Sequence, residues 1–414
     1  MAEPPVPIPQ HEGRPLLAVF SATFLVRFAF GITVAILAAY ISSQSNALDE
    51  GTVGTVGIIA ALSPAGEFST VLFAGAAADR YGRFPILFLG IGSAAVIFLL
   101  LGLTRDPTLL AAANLGYGIA SGAILASSLA LVADFSGLSE RGFEMGRFDA
   151  MSLSGWITGF AFGLFIKGAV PNSSLGLAFL LGAAILAAGL ACAVLLTRGQ
   201  PARRGRAAYS FREVARHVFR RSVLLVTLPW LAIYMLIGTV LVFLASAVSG
   251  AKISTVELAA LIGVGGLVLI LTQPLFGRFA DRFGRIRMMG VGATGFVLLM
   301  VFASLIVAFG AILPLLIGIG ASVVLTLIYG PAALAALTDL SHEVGRATTM
   351  AIYSLTISVG MFAGLIASSQ LYSHLGNTGL YIFFGALAVT VAALTAARFR
   401  ELGGALDRPM IPAR

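Results

Sequence analysis

Twelve long apolar runs constrain the fold of this chain of 414 residues more than any other feature. Each run holds about 20 residues or more, and a helix of that length crosses the hydrocarbon core of a bilayer, which is roughly 30 Å thick. Lipid offers no hydrogen-bond partner to backbone groups, and the strands of a β-barrel are shorter and alternate in polarity. The sequence therefore predicts an all-α membrane protein with twelve transmembrane helices, at 15–41, 53–78, 84–103, 108–133, 146–170, 174–197, 221–247, 255–277, 287–309, 311–338, 347–373 and 377–397.

The composition excludes several function classes. Only 11% of the residues are charged and 58% are apolar, whereas about a quarter of the residues in a soluble domain are charged. A soluble enzyme and a nucleic-acid-binding module are therefore excluded as the main class. The single cysteine, Cys192, excludes a disulfide within the chain and a cysteine-based metal site. We expect no cofactor, no metal and no nucleic acid partner.

The distribution of basic residues predicts the orientation in the membrane. If the amino-terminus is cytoplasmic, 22 of the 26 Lys and Arg residues fall in cytoplasmic segments, and only Arg105, Lys167 and Lys252 fall outside. Cytoplasmic loops carry the basic excess in membrane proteins, so both termini are expected in the cytoplasm. We expect a disordered cytoplasmic segment at 1–14, a cytoplasmic tail at 398–414 and a location in the plasma membrane of a prokaryote.

The chain divides into two halves of six predicted helices, 15–197 and 221–397, joined by a basic linker at 198–220. The segment 75–83 recurs 202 positions later as 277–285. The acid that ends the fourth run and the Gly-Arg pair that precedes the fifth run recur 205 and 199 positions later. A duplicated unit predicts two pseudo-symmetric six-helix bundles with a binding site at their interface, as in many transporters. The linker joins the bundles, and its charge also suits anionic lipid headgroups.

The two repeated segments resemble the loop motif of the major facilitator superfamily, G-x-x-x-D-[RK]-x-G-[RK]-[RK]. The motif positions are filled by Gly75, Asp79, Arg80, Gly82 and Arg83 in the first copy and by Gly277, Asp281, Arg282, Gly284 and Arg285 in the second. The last basic position is Phe84 in the first copy and Ile286 in the second. Together with the six-plus-six pattern of runs, the motif extends the resemblance over residues 15–397.

The glycines of the two motif copies have predicted structural roles. Gly82 and Gly284 are expected in tight cytoplasmic turns, where a residue without a side chain is favoured. Gly75 and Gly277 are expected to let neighbouring helices approach each other.

The charged residues of the motif have a role that the resemblance implies. By this resemblance, Asp79 and Arg83 would stabilise the closed cytoplasmic side of the protein, and Asp134 would be the partner of Arg83. The repeat implies the equivalent contact in the second half, of Asp339 with Arg285 or Arg282. The alternative is that these residues only anchor the loops and set the topology.

Within the family, the chain resembles the drug/proton antiporters in layout but departs from their motifs at two places. Asn114 stands where those antiporters have an arginine in span four. The stretch from Gly155 to Gly163 in span five keeps a glycine spacing but lacks the Gly-Pro pair of the antiporters. Asn114 remains a candidate substrate contact.

Two charged residues lie deep in the predicted spans, and they lie at similar depth. At about 1.5 Å per residue, Arg27 is roughly 20 Å and Glu67 roughly 18 Å from the cytoplasmic ends of spans one and two. Charges at this depth are costly and usually functional. Glu67 is the only deep group that titrates, so it is the candidate proton carrier, with Arg27 as its partner. The alternative is a static salt bridge between the first two helices.

Candidate substrate contacts follow from an asymmetry between the halves. The second half has no charged residue deep in a predicted span, but it has polar and aromatic residues there, namely Trp230, Tyr234, Gln273, Tyr329 and Tyr353. Together with Arg27 and Asn114, these side chains would stack on a solute or form hydrogen bonds with it. A site of this composition favours an uncharged or amphipathic small organic solute.

These features predict a monomeric secondary transporter that works by alternating access and couples efflux to protons, with efflux implied by the resemblance alone. Its expected partners are a small-molecule solute, protons and membrane lipid. The alternative within transport is a facilitator or importer of a small organic anion bound by Arg27. The chain has no phosphate-binding loop of the G-x-x-x-x-G-K type, so an ATPase is not expected. A lipid-handling enzyme would need a catalytic cluster at a membrane face, and a sensor would usually carry an added soluble domain; the sequence shows neither.

Overall fold

Helices form all the regular secondary structure that the structure describes. It is a computed structural model and describes residues 13–42, 50–135, 141–171, 174–200, 216, 218–250, 255–310, 312–340 and 346–402. The first six helices are α1 (Gly13–Ser42), α2 (Glu50–Tyr81), α3 (Arg83–Leu103), α4 (Pro107–Phe135), α5 (Arg141–Ala169) and α6 (Gly176–Leu196). The next seven are α7 (Arg221–Gly250), α8 (Thr255–Phe283), α9 (Arg285–Phe309), α10 (Leu313–Leu327), α11 (Tyr329–Leu340), α12 (Arg346–Leu375) and α13 (Asn377–Leu402). The predicted amino-terminal segment, most of the linker and most of the tail lie outside the described residues.

Ten stretches of the described part are long and apolar enough to cross a membrane. They are α1, α3, α4, α5, α6, α7, α9, α12, α13 and the consecutive pair α10 and α11. The helices α2 and α8 have 32 and 29 residues but are not among the ten. The predicted class of an all-helical membrane protein is confirmed, while the number twelve and the orientation of the termini stay predictions.

The tenth apolar run is divided into α10 and α11 at Ile328. Pro331 explains the division, because its nitrogen carries no hydrogen and its ring conflicts with the carbonyl group of Leu327, four residues earlier. The stretch Leu313–Leu337 nevertheless remains a single apolar span of 25 residues.

Close helix packing occurs at equivalent positions in the two halves. In the first half α5 lies against α1, because Gly159 faces the backbone of Phe28 and leaves no room for a side chain. In the second half α12 lies against α7 in the same way, with Gly364 facing the backbone of Met235. Small residues let membrane helices approach and gain van der Waals contact. These equivalent pairs agree with the duplication in the sequence.

The glycines of the two loop motifs have different surroundings. Gly82 and Gly284 precede α3 and α9 with φ angles of 109° and 95°, a conformation that residues with a side chain rarely adopt. The expectation of close helix approach at Gly75 and Gly277 is wrong, because no described atom lies within 4 Å of a Cβ built at either residue. The close approach of α2 to α4 lies further along the helix, where Gly66 faces the carbonyl oxygen of Leu115.

The two halves contact each other closely at one end of the bundle. We call the end with the turns before α3 and α9 the motif end, and the opposite end the far end. At the far end α2 and α12 run antiparallel, and Gly57 faces Ser369 so closely that a side chain at Gly57 would collide with it. Nearby, Gln370 Nε2 donates a hydrogen bond to the carbonyl oxygen of Gly54 at 3.3 Å. Among the described residues, the far end is therefore closed between α2 and α12.

The contact between α2 and α12 continues from the far end to mid-depth. Ala61 packs against Leu365, and the rings of Phe68 and Phe362 meet edge to face with their centroids 5.5 Å apart. This contact positions the middle of α2 against the second half, next to the site described below.

Candidate functional site

A cavity of about 180 Å³ lies between the two halves at mid-depth. The first half contributes α1 and α5 to its wall, and the second half contributes α7, α10, α11 and α12. Its polar or polar-aromatic wall residues are Arg27, Ser152, Trp156, Trp230, Tyr234, Thr326 and Tyr353. The rest of the wall is mainly aliphatic. A concave, mostly apolar pocket with a few polar groups is the usual form of a small-molecule site.

Arg27 and Glu67 form a bidentate ion pair at the edge of this cavity. Arg27 Nη1 donates to Glu67 Oε2 at 3.1 Å, and Arg27 Nη2 donates to Oε1 at 3.2 Å. The exposed fractions of the two residues are 9% and 4%, so both charges are withdrawn from solvent. Two parallel charge-assisted bonds fix the relative position of α1 and α2 better than a single contact does. The structure therefore brings together the two residues that the sequence places at similar depth.

The carboxylate of Glu67 accepts hydrogen bonds from three helices other than its own. Besides the two bonds from Arg27, Ser121 Oγ on α4 donates to Oε2 at 2.7 Å, and Ser358 Oγ on α12 donates to Oε1 at 2.6 Å. The Nε of Arg27 in turn donates to Ser152 Oγ on α5 at 3.3 Å. A buried ion pair is tolerated when such additional bonds satisfy its remaining donors and acceptors.

Aromatic residues from both halves form much of the remaining wall. The ring of Trp230 lies 5.1 Å from that of Tyr353 and 6.5 Å from that of Tyr234, centroid to centroid. Trp156 faces the cavity from the first half, and its Nε1 is buried without a hydrogen-bond partner among the described residues. Stacking surfaces of this kind suit a solute with a planar ring.

Asn114, a predicted substrate contact, lies outside the cavity wall. It is 1% exposed, and its Nδ2 donates to the carbonyl oxygens of Ile59 and Ala60 on α2, at 2.6 and 3.5 Å. Pro64 lacks the N–H that would pair with the carbonyl of Ala60, so α2 has a free acceptor at this point. The structure does not place Asn114 in the cavity wall, because its side-chain amide bonds to the backbone of α2, and the substrate-contact role stays a prediction.

Tyr329, also a predicted substrate contact, is fully buried behind the wall. Its hydroxyl donates to the carbonyl oxygen of Val226 at 2.9 Å and accepts from Arg398 Nη1 at 2.8 Å. The structure does not place Tyr329 in the cavity wall either, because its hydroxyl has both partners inside the bundle, and the substrate-contact role stays a prediction. The side chain of Gln273 lies outside the described residues.

Arg398 corrects another expectation, since the sequence pattern assigns it to the cytoplasmic tail. It lies within α13 and is 0% exposed. Its Nε and Nη2 have no partner among the described residues, and its guanidinium carbon lies 5.4 Å from the ring centroid of Tyr329. The second half therefore contains a buried charge of its own, close to the motif end.

At the motif end, one arginine of each half binds the backbone of an equivalent helix. Arg83 forms an ion pair with Asp134, and its Nη1 donates to the carbonyl oxygen of Ala130 at 2.7 Å. Arg285 Nη1 donates to the carbonyl oxygen of Ala335 at 2.8 Å. Ala130 and Ala335 lie four residues before Asp134 and Asp339, the acids of the two predicted pairs. The two arginines therefore occupy equivalent positions in the two halves.

The other charged residues of the motif are described only in part. Arg80 is exposed and lies over the ring of Tyr81 at 5.3 Å, and Arg282 lies over the ring of Phe283 at 5.5 Å. The side chains of Asp79, Asp281 and Asp339 lie outside the described residues. The gating role of the whole set stays a prediction.

Comparison with known proteins adds the family. The profile of the Major Facilitator Superfamily matches residues 19–330 and 253–409. The chain belongs to the Major Facilitator Superfamily. The predicted family is thereby confirmed, whereas the antiporter type within the superfamily stays a prediction. No curated protein sequence matches the chain.

Solved structures of transporters share this superfamily fold. The human organic anion transporter MFSD10 (TETRAN) is 18% identical, with 95% of this chain and 100% of that one covered and a TM-score of 0.65. A mutant of the nucleoside transporter NupG is 13% identical, with 93% and 99% covered and a TM-score of 0.69. A bacterial homologue of the human lysosomal transporter Spinster, solved inward-facing and unoccupied, is 15% identical, with 94% and 97% covered and a TM-score of 0.69. At these identities the similarity shows the fold alone.

Membership of the superfamily, together with these neighbours, identifies the general class. The protein is a multi-pass integral membrane transporter and not an enzyme. Among the described residues, no group of three or more His, Cys, Asp or Glu side chains is placed to hold a metal ion.

Four residues of the site were missed by sequence reasoning: Ser121, Ser152, Trp156 and Ser358. The serines gave no signal, because serine is common in membrane helices and its hydroxyl usually bonds to the carbonyl four residues earlier. Trp156 did give one, because the chain has only two tryptophans and both line the cavity.

Proposed function

We propose that the protein is a secondary active transporter that moves a small organic solute by alternating access and couples export of this solute to proton entry. The observation that carries the proposal is the Arg27–Glu67 pair, because it lies at mid-depth beside the cavity between the halves. A proton-coupling group needs contact with both the solute site and the moving interface, and Glu67 lies near both.

Protonation of Glu67 would change the electrostatics of the cavity. With the carboxylate ionised, the positive charge of Arg27 is neutralised by its partner. With the carboxyl group protonated, the charge of Arg27 is uncompensated and the site becomes cationic. A bound proton that favours one conformation over the other in this way is the requirement for coupling.

The lining of the cavity supports an uncharged or amphipathic solute. Among the described residues, Arg27 is the only charged residue in the wall, and Glu67 neutralises it. The other walls offer the stacking surfaces of Trp230, Tyr234 and Tyr353 and aliphatic side chains. The volume of about 180 Å³ favours a compact molecule. Export itself rests on the resemblance to the drug/proton antiporters.

Transport in proteoliposomes with an imposed pH gradient tests the coupling. A thermal-shift screen of neutral aromatic compounds, nucleosides and organic anions first selects a solute, because a ligand that binds the folded state raises its stability. We expect Glu67→Gln to abolish uphill transport of that solute while binding persists. The matched control is Glu401→Gln, which removes a carboxylate that pairs with Arg221 away from the cavity. Uphill transport by Glu67→Gln at the rate of the parent would refute Glu67 as the coupling group.

A facilitator or importer of a small organic anion is the second candidate, favoured by the position of Arg27 in the cavity wall. All three guanidinium nitrogens of Arg27 already have partners, so an anion would have to displace Glu67. Under this candidate, Glu67→Gln should strengthen anion binding because it frees the arginine. Transport of the anion should then persist without a pH gradient.

A further inference from the structure

Ser358 links the charged pair of the first half to the second half. It lies on α12, and its hydroxyl donates to Oε1 of Glu67 on α2 at 2.6 Å. Ser358 is 1% exposed, so water does not replace this bond readily. The bond lies at the mid-depth limit of the α2–α12 contact that closes the far end, next to the Phe68–Phe362 ring pair.

The hydroxyl of Ser358 has a second acceptor within reach. The carbonyl oxygen of Ser354, one turn earlier on α12, lies 3.1 Å from Ser358 Oγ. A hydroxyl has one proton, so it donates fully to only one of these acceptors at a time. An ionised carboxylate is the stronger acceptor, and its distance is the shorter one. When the carboxylate of Glu67 loses its charge, it is no longer the stronger acceptor for the hydroxyl of Ser358.

Ser121 offers a comparison within the first half. Its hydroxyl donates to the other oxygen of Glu67 at 2.7 Å and is equally buried, with 1% exposed. It lies on α4, which belongs to the same half as Glu67 and moves with it. A movement of the two halves apart at the far end would therefore break the bond of Ser358 and leave that of Ser121 intact.

We propose that Ser358 is the positioning residue through which the charge of Glu67 controls closure of the far end. The proposal rests on the proposed function, in that Glu67 takes up the proton. While Glu67 is ionised, the bond stabilises the contact of α12 with α2. When the carboxylate takes a proton from solvent, the hydroxyl of Ser358 donates to Ser354 instead, and the helices separate without leaving a buried donor unpaired.

Other charged or titratable side chains lie near Glu67. Among the described residues, the charged or titratable side chains near the pair are Arg27 on α1, Tyr117 on α4 and Tyr353 on α12. Tyr234 on α7 faces the same cavity. The Glu67→Gln variant separates the contribution of Glu67 from that of these neighbouring groups.

Cysteine labelling at the far end tests the proposal. Ser373→Cys, in a Cys192→Ser background that has no other cysteine, places a thiol opposite Gly54 in the closed contact. The labelling rate with a maleimide that does not cross membranes is measured in proteoliposomes at pH 5 and pH 8. At each pH it is divided by the rate for the same variant denatured in SDS, because the thiolate is the reactive form and its fraction rises with pH. The variants are Ser358→Ala, the matched control Ser121→Ala and Glu67→Gln.

Each outcome decides the proposal. We expect the normalised labelling rate of the parent to be higher at pH 5 than at pH 8. That of Ser358→Ala should exceed the parent's about tenfold or more at pH 8 and should not depend on pH. The pH dependence of the normalised rate should persist in Ser121→Ala. Equal rates in Ser358→Ala and the parent, loss of pH dependence in Ser121→Ala, or a parent without pH dependence would overturn it. If Glu67→Gln still drives uphill transport but labels like Ser358→Ala, the coupling function fails while the link through Ser358 holds.

Discussion

Replacing Arg27 with methionine would measure how strongly the buried ion pair stabilises the fold. Glu67 would lose two charge-assisted hydrogen bonds, of 3.1 and 3.2 Å, and keep those from Ser121 and Ser358. At about 1.5–3 kcal/mol for each such bond, the loss amounts to about 3–6 kcal/mol. Removing one partner of a buried pair costs about 3–5 kcal/mol in other proteins. We therefore expect the free energy of unfolding to fall by about 3–5 kcal/mol at neutral pH.

The assay is reversible unfolding in mixed micelles of lipid and SDS, followed by the fluorescence of the two tryptophans. Arg80→Met, at an exposed arginine, is the matched control and should change the free energy of unfolding by less than about 0.5 kcal/mol. The double variant Arg27→Met/Glu67→Gln should recover most of the loss, because it leaves no uncompensated charge in the interior.

Two results would refute this reasoning. A loss below about 1 kcal/mol in Arg27→Met would mean that the pair contributes no more than an exposed salt bridge. Strict additivity of the two single changes in the double variant would mean that the residues do not interact energetically.

Three further predictions concern positions away from the pair. Gly159→Ala should lower the free energy of unfolding by about 1–3 kcal/mol or more, because the added methyl group overpacks against α1. Gly75→Ala should leave it unchanged, because no described atom lies within 4 Å of a Cβ at this position. Denaturant titration measures the free energy of unfolding of both variants. Asn114→Ala should cost about 1–3 kcal/mol of stability, because it leaves a backbone acceptor of α2 unpaired, yet its solute affinity by equilibrium binding should equal that of the parent. Asp134→Asn should lower transport and speed labelling of a cysteine placed at the motif end, and an unchanged labelling rate would leave its pair with Arg83 only an anchoring role.

Much of the fold follows from the sequence, because chain length per span and duplication are linear properties. Arg27 and Glu67 are the best example at the site. Counting residues from the ends of two spans places them at one depth, and the cost of an unpaired charge in the bilayer then predicts that they pair. The equivalence of Arg83 and Arg285 follows from the repeat in the same way.

The sequence does not reveal how each helix is rotated about its own axis. A helix of a membrane protein is apolar toward lipid and apolar toward the core, so the pattern does not show which face is buried. Trp230 and Tyr329 were therefore equally good candidates, although the first lines the cavity and the second bonds to Val226 behind it. For Asn114 the signal was present in Pro64, whose missing N–H requires a donor from a neighbouring helix.

The two ends of the bundle depend on different forces. The described far-end contact is made by glycine, serine and glutamine, which carry no charge for salt to screen. At the motif end, Arg83 on α3 and Asp134 on α4 of the same half form an ion pair, and their side chains are 12% and 27% exposed. Mobile ions weaken exposed pairs over a Debye length of about 8 Å at physiological ionic strength. A rise in salt on the motif side alone should thus loosen the packing of α3 against α4 there, whereas the uncharged contact of α2 with α12 at the far end should respond little to salt.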